Sequence, residues 1–259
     1  MIASDYLIAP NWPAPANVLA LSTTRKGLAG YAGASVGAYS HFNLGDHVDD
    51  SLLNVAKNRA ALLAACDNLD AIVWLQQVHG IEVCEVSDVR AAPVCADASI
   101  TRAKGLGCAV LTADCIPVLF CRIDGGEVAA AHAGWRGLCA GVLVNTVTAF
   151  NCPPQELMAW IGPAISQAHF EVGPEVYRAF LKEFSGVSKA QIENAFRPSA
   201  YKAGHFYADI NALAQCQLQN LGVAWVGGGD LCTYADADRF YSFRRDGQTG
   251  RQVSLIYRR

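Results

Sequence analysis

Three apolar runs, residues 107–113, 116–121 and 127–132, follow one another with too few residues between them to hold a helix. Successive short strands of this kind predict an α+β fold with packed sheets, and argue against a doubly wound parallel sheet, where a helix follows each strand. The rest of the chain fits that frame. Further strands are expected at 18–23, at 71–78 and 81–86 around a tight turn at His79-Gly80, and at 157–161, 223–226, 240–244 and 252–257, the last two joined by a turn at 246–250. Helical spacing of apolar residues predicts helices over 52–66, 134–150, 174–184, 188–196 and 209–221. Residues 1–17, with Pro10, Pro13 and Pro15, read as an irregular lead-in, and the glycine-rich stretch 27–45 as a long loop or a set of short strands. No linker divides residues 18–259, so one domain is expected there.

Composition removes several function classes. The 259 residues are 52% hydrophobic and 17% charged with a net charge of −3, which excludes general disorder and lacks the basic excess of a nucleic-acid binder. No apolar run reaches the ~18 residues of a membrane span. The start, Met1 to Tyr6, has no basic segment leading into an apolar one, so no secretory signal is expected. Ten cysteines in so large a chain fall well below disulfide-scaffold density, and no Cys-x-x-Cys pair occurs. A soluble cytoplasmic protein whose cysteines are mostly small buried hydrophobes is the expectation.

Three apolar segments end on residues able to bind metal: Gln77-Val78-His79-Gly80, Ala113-Asp114-Cys115, and Ala131-His132-Ala133-Gly134. Two imidazoles and a thiolate make a workable catalytic zinc set, because three protein ligands leave a fourth position open. Their softness favours zinc or copper over magnesium or calcium. The three lie far apart and fit no local zinc-finger spacing, so spacing by itself favours the plainer account of strand-end histidines and a core thiol. Arg136, in the first turn of the expected helix after Gly134, opposes the helix dipole unless an anion is near; pairing with a surface acid explains it equally well. Asp97 is a carboxylate among small residues, a ligand-orienting group or a turn residue. Arg244 and Arg245 beside Asp246-Gly247 read first as a solvated hairpin end, with an anion contact as the lesser reading. Gly33-Ala34-Ser35-Val36-Gly37 lacks the strand–turn–helix context of a nucleophile elbow. His41, His47, His169 and His205 stand in polar or glycine-rich surroundings and are expected to be loop or surface residues.

Taken together, Gln77-Val78-His79-Gly80, Ala96-Asp97-Ala98, Leu111-Thr112-Ala113-Asp114-Cys115-Ile116-Pro117-Val118 and His132-Ala133-Gly134-Trp135-Arg136-Gly137 closely resemble the YfiH-like laccase-domain family, also named multi-copper polyphenol oxidoreductase and purine nucleoside phosphorylase. Thr23-Thr24-Arg25, Asn43-Leu44-Gly45, Asn58-Arg59, Ile161-Gly162-Pro163 and the closing run from Tyr241 to Arg251 extend the likeness. The resemblance implies a four-layer α/β/β/α sandwich with two central mixed sheets, and zinc held by His79, Cys115 and His132. It implies phosphorolysis of adenosine, guanosine, inosine and methylthioadenosine, together with deamination of adenosine. Purine nucleosides and phosphate are then the partners. Arg25, Asn43, Arg59 and Asp97 are carried over as substrate or phosphate residues, with Asp97 in a proton-transfer role; Arg136 and Arg245 join them on charge alone.

Other readings stay open on the sequence. Cys115 could act as a nucleophile with His79 or His132 as its base, in a hydrolase editing peptidoglycan precursors. Copper-dependent polyphenol oxidation, the older family name, would need more than six scattered histidines for several coppers, so copper is expected only as a substitute in the zinc position. A purely structural zinc would want a fourth protein ligand, and none accompanies the three.

Overall fold

The computed structural model describes residues 5–88 and 94–259, and two mixed sheets dominate it. The five-stranded sheet runs in the order Leu7–Ile8, Val18–Thr23, Gln252–Arg258, Leu106–Thr112, Ala71–Val73. Its pairings are antiparallel except the last, which is parallel. The six-stranded sheet runs Trp225–Gly228, Leu157–Ile161, Ile116–Arg122, Val128–Ala133, Ala98–Thr101, Val83–Glu85. Its centre is antiparallel and both edge pairs are parallel.

Period-two alternation sorts the side chains of each strand into two cores. In Leu106–Thr112, Cys108 and Val110 face the other sheet, while Ala109 and Leu111 face the helix Leu52–Ala65. In Ile116–Arg122, Leu119 and Cys121 join the layer between the sheets, whereas Ile116, Val118 and Phe120 face the helices on the far side. Those helices include Val142–Thr148, Pro174–Glu183 and Ile210–Asn220, which bury Leu143, Phe180 and Leu213. The result is the expected four-layer α/β/β/α sandwich. Strands buried on both faces explain why the sequence shows near-continuous apolar runs instead of clean alternation with polar residues. Among the described residues, no helix is long and apolar enough to cross a membrane.

Four local expectations are corrected. Residues 71–78 and 81–86 do not form a hairpin: Ala71–Val73 pairs with Leu106–Thr112, and Val83–Glu85 pairs with Ala98–Thr101 in the other sheet. His79-Gly80 therefore lies in a crossing between sheets, with His79 at φ +59°. Residues 240–244 are not a strand; Phe243–Asp246 is a short helix capped by the Ser242 hydroxyl, so 246–250 is not a hairpin turn. The helix expected over 134–150 is two, Trp135–Ala140 and Val142–Thr148, broken where Gly141 takes φ +105°. The proline-rich lead-in contributes an edge strand, Leu7–Ile8.

Candidate metal centre

The consecutive strands Leu106–Thr112 and Ile116–Arg122 belong to different sheets, so the chain must cross between layers at Ala113-Asp114-Cys115. Asp114 makes that crossing at φ +99°, a conformation strained for a side-chain-bearing residue. Its carboxylate holds the turn: Oδ1 accepts from the Thr233 hydroxyl at 2.6 Å and Oδ2 from the Arg244 backbone N–H at 2.7 Å. Cys115 is thereby presented at the end of the inter-sheet layer. His132 approaches from the neighbouring strand Val128–Ala133, on the face shared with Val128 and Ala130, and is 3% exposed.

Asp97 ties the third ligand to the second. Its carboxylate is fully buried and accepts three consecutive backbone N–H groups: Val78 at 3.2 Å, His79 at 2.9 Å and Gly80 at 2.6 Å. Its Oδ1 also lies 2.8 Å from His132 Nδ1. Burial would raise the Asp97 pKa, but the His132 hydrogen bond and the backbone donors outweigh it, so the group is held below its ordinary value. An ionised acceptor at Nδ1 fixes that nitrogen as the donor and leaves Nε2 for a metal, the carboxylate–histidine arrangement common behind metal ligands.

The ligand atoms of His79, Cys115 and His132 all lie within 4.8 Å of one another. Cys115 Sγ is 3.9 Å from His79 Nε2, and the two imidazole rings stand edge-on with centroids 4.8 Å apart. Bonds of ~2.0–2.3 Å at tetrahedral angles place zinc ligands ~3.3–3.8 Å apart, so the cluster fits after a small contraction, which the exposed His79 can supply. Gly134 makes the approach possible: a Cβ there would lie 2.7 Å from His79 Cδ2 and 3.2 Å from Cys115 Sγ.

Burial by itself would push the Cys115 thiol up, but the charge on His132 and hydrogen bonds from both histidines outweigh it and bring the thiol down to about 6. Burial disfavours charge on His132 as well, yet the Cys115 thiolate and Asp97 lift it to about 9. In chelator-treated protein the reactive thiolate therefore predominates above the lowered pKa. Alkylation of the Cys115 peptide by iodoacetamide, followed by mass spectrometry, should rise with pH through a midpoint near 6. A midpoint at the ordinary thiol value of ~8.5 would refute the pairing. Burial pushes Cys108 and Cys121 up to about 12, so both should stay silent.

The cluster opens on a cavity of about 280 Å³ whose wall includes His47, Gln77, Leu111, Phe243 and Arg251. Gln77 reaches it as a false strand rung, its amide bonding both the N–H (2.7 Å) and the carbonyl (2.9 Å) of Leu111. A larger depression of about 520 Å³ along Asp230–Arg239 brings together none of the cluster residues. Arg25, Asn43, Arg59, Arg136 and Arg245 do not line the cavity. Arg25 donates from Nε and Nη2 to the Ser40 carbonyl and from Nη1 to that of Ala237, over the Tyr241 ring. Arg59 caps the Leu44 carbonyl and pairs with Asp46 at 3.1 Å, over Trp74. Arg136 is exposed and stacks on Trp135. Arg245 uses its guanidinium on Asp246 and the carbonyls of Thr233, Tyr234 and Phe240, stapling the C-terminal helix in place. Asn43 is buried, with Oδ1 accepting from the N–H groups of Gly45 and Arg251.

Sequence reasoning passed over Arg251, His47 and Phe243 as site residues. Arg251 closes the last family-like motif, immediately after Gly250, and that position was the available signal. Burial pulls its guanidinium below the usual arginine value, against the pull of Cys115 and Asp114.

The family model described as multi-copper polyphenol oxidoreductase laccase matches residues 19–259. The chain belongs to that family. It is 46% identical over 251 residues to the Escherichia coli protein named purine nucleoside phosphorylase YfiH, covering 97% of this chain and 98% of that one. A Pseudomonas aeruginosa protein, also named a purine nucleoside phosphorylase, is 46% identical over 250 residues, covering 96% and 97%. The crystal structure of a Neisseria meningitidis protein superposes with a TM-score of 0.89 at 44% identity, covering 97% of this chain and 98% of that one. Family membership thus extends over nearly the whole chain and includes every residue of the metal-competent cluster.

Proposed function

We propose that the protein is a cytoplasmic zinc-dependent purine nucleoside phosphorylase acting on adenosine, guanosine, inosine and methylthioadenosine, with an adenosine deaminase activity in the same pocket. The observation that carries the reading is the convergence of two imidazoles and one thiol at the floor of a cavity, in a chain whose relatives bear the phosphorylase name. His79, Cys115 and His132 hold the ion. When bound, it would supply Lewis-acid polarisation to a substrate or water oxygen.

The chain's own groups do the rest. Asp97 fixes the His132 tautomer and the backbone of the His79 loop, acting as a positioning residue because its oxygens are already engaged by the Val78–Gly80 backbone and His132. Phe243, 60% exposed at the cavity edge, and Leu111 offer apolar surface to a purine base. In phosphorolysis a phosphate oxygen forms the bond to C1′ while the C1′–N9 bond breaks and its electron pair leaves with the base. Holding phosphate and nucleoside together removes much of the entropic barrier, and cationic groups stabilise the charge that shifts as the bond breaks.

Zinc-loaded protein incubated with adenosine should give adenine and ribose 1-phosphate only when phosphate is present, and inosine with or without it. Chromatography of the products decides the matter. Absence of all three products, or yields unchanged by a chelator, would defeat the proposal.

One observation favours a second reading. The thiol lowered to about 6 beside His132 is what a cysteine nucleophile requires. A Cys–His hydrolase acting on peptidoglycan precursors would stay active in chelator and die on alkylation, whereas the phosphorylase should lose activity in chelator and regain it with zinc.

A further inference from the structure

Among the described residues, Arg251 is the one arginine that lines the cavity of the His79–Cys115–His132 cluster, and its side chain is set in place by contacts of the fold itself. Its backbone N–H donates to Asn43 Oδ1 at 2.8 Å, and its carbonyl accepts from the Leu44 N–H at 3.1 Å. The stem then passes over Gly45, where a Cβ would lie 2.8 Å from Arg251 Cγ. Nη1 donates to the carbonyls of Thr249 and Gly250, each at 3.0 Å, which commits that nitrogen to the fold. Among the described residues, neither Nε nor Nη2 has an acceptor, and no carboxylate pairs with the group. Arg59 and Arg245, by contrast, each hold an aspartate.

The uncommitted side is the one that matters for recognition. Nε–H and one Nη2–H point in parallel and match two oxygens of a tetrahedral or planar oxyanion, a bidentate geometry that a lysine cannot reproduce. A half-buried guanidinium whose Nε and Nη2 lack an acceptor gains from an oxyanion that completes its hydrogen bonding. We infer that the Nε–Nη2 edge of Arg251 is the oxyanion-binding element of this cavity and takes inorganic phosphate as the co-substrate beside the nucleoside. This rests on the phosphorylase reading above and deepens it. Asn43 and Gly45 then serve phosphate indirectly, one by clamping the Arg251 backbone and the other by leaving room for its stem.

Calorimetric titration of inorganic phosphate into zinc-loaded protein tests this, alongside phosphate and nucleoside KM. Arg251→Gln should weaken phosphate binding at least ~10-fold, and Arg251→Lys should restore only part of it, since charge returns without the fork. Gly45→Ala, which keeps the guanidinium but displaces its stem, should weaken phosphate in the same direction and serves if Arg251→Gln does not fold. Nucleoside KM should move far less than phosphate KM in each. Unchanged phosphate affinity in Arg251→Lys and Gly45→Ala would overturn the inference. So would a rise confined to nucleoside KM, or an Arg251-dependent affinity for a nucleoside 5′-monophosphate with none for inorganic phosphate. If the unaltered enzyme cleaves no nucleoside in phosphate, the phosphorylase reading itself falls; if it does and the Arg251 variants keep its phosphate KM, only this inference falls.

Discussion

A Gly134→Ala protein is expected to fold and yet to lose at least ~100-fold in kcat/KM, together with most of its bound metal. Backbone strain cannot be the cause, because Gly134 sits at φ −63° and ψ 157°, a conformation open to alanine. The effect is steric and local. The added methyl would stand 2.7 Å from His79 Cδ2 and 3.2 Å from Cys115 Sγ, so one ligand must move by the better part of an ångström. Displacement on that scale costs catalysis about two orders of magnitude, while overpacking at one point costs only about 1–3 kcal/mol of stability. Metal content by mass spectrometry and a denaturant titration separate the two effects. Full metal content in the variant would show that the three side chains do not meet around an ion.

Asp97→Ala should act on stability as well as on the site. Removing the carboxylate strands the N–H groups of Val78, His79 and Gly80 and leaves His132 without its partner. Breaking a buried charged pair of this kind costs about 3–5 kcal/mol, a large share of the ~5–15 kcal/mol that holds a domain together. Metal affinity should fall ~10–100-fold, as it does when the group behind a ligating histidine is lost. Asp97→Asn keeps the shape but turns an amide toward at least one donor, so it should recover little. A variant with wild-type melting and metal content would show that Asp97 neither braces the loop nor orients His132.

What the sequence disclosed, and what it withheld, follows from the range of the forces involved. The runs at 107–113, 116–121 and 127–132 were readable as strands because burial on both faces writes itself into composition. Which sheet each would join was not readable: the crossing at Asp114 depends on Thr233 and Arg244, far along the chain. The same limit explains the hairpin expected around His79, since Ala71–Val73 and Val83–Glu85 look alike locally and pair in different sheets. His79, Cys115 and His132 stood out as chemically apt side chains, and only tertiary structure could bring them together. The arginines were the hardest to sort. Charge is visible in a sequence, but whether a guanidinium is spent on carbonyls, as in Arg245, or keeps an edge free, as in Arg251, is decided by backbone atoms that no motif spells out.

Gln252–Arg258 lies between Val18–Thr23 and Leu106–Thr112, so a strand that follows both of its neighbours in sequence by well over a hundred residues occupies the middle of its sheet and closes it. A nascent chain emerging at ~5–20 residues per second must therefore hold those earlier strands open until Gln252–Arg258 emerges. Long-range pairing of this sort makes assembly slow and all-or-none. Arg251 abuts that strand and reaches the pocket that holds His132 and Cys115, which ties maturation of the pocket to the arrival of Gln252–Arg258 in the sheet. Truncated products of a stalled or nonsense message would thus carry the metal-binding side chains without the finished pocket around them.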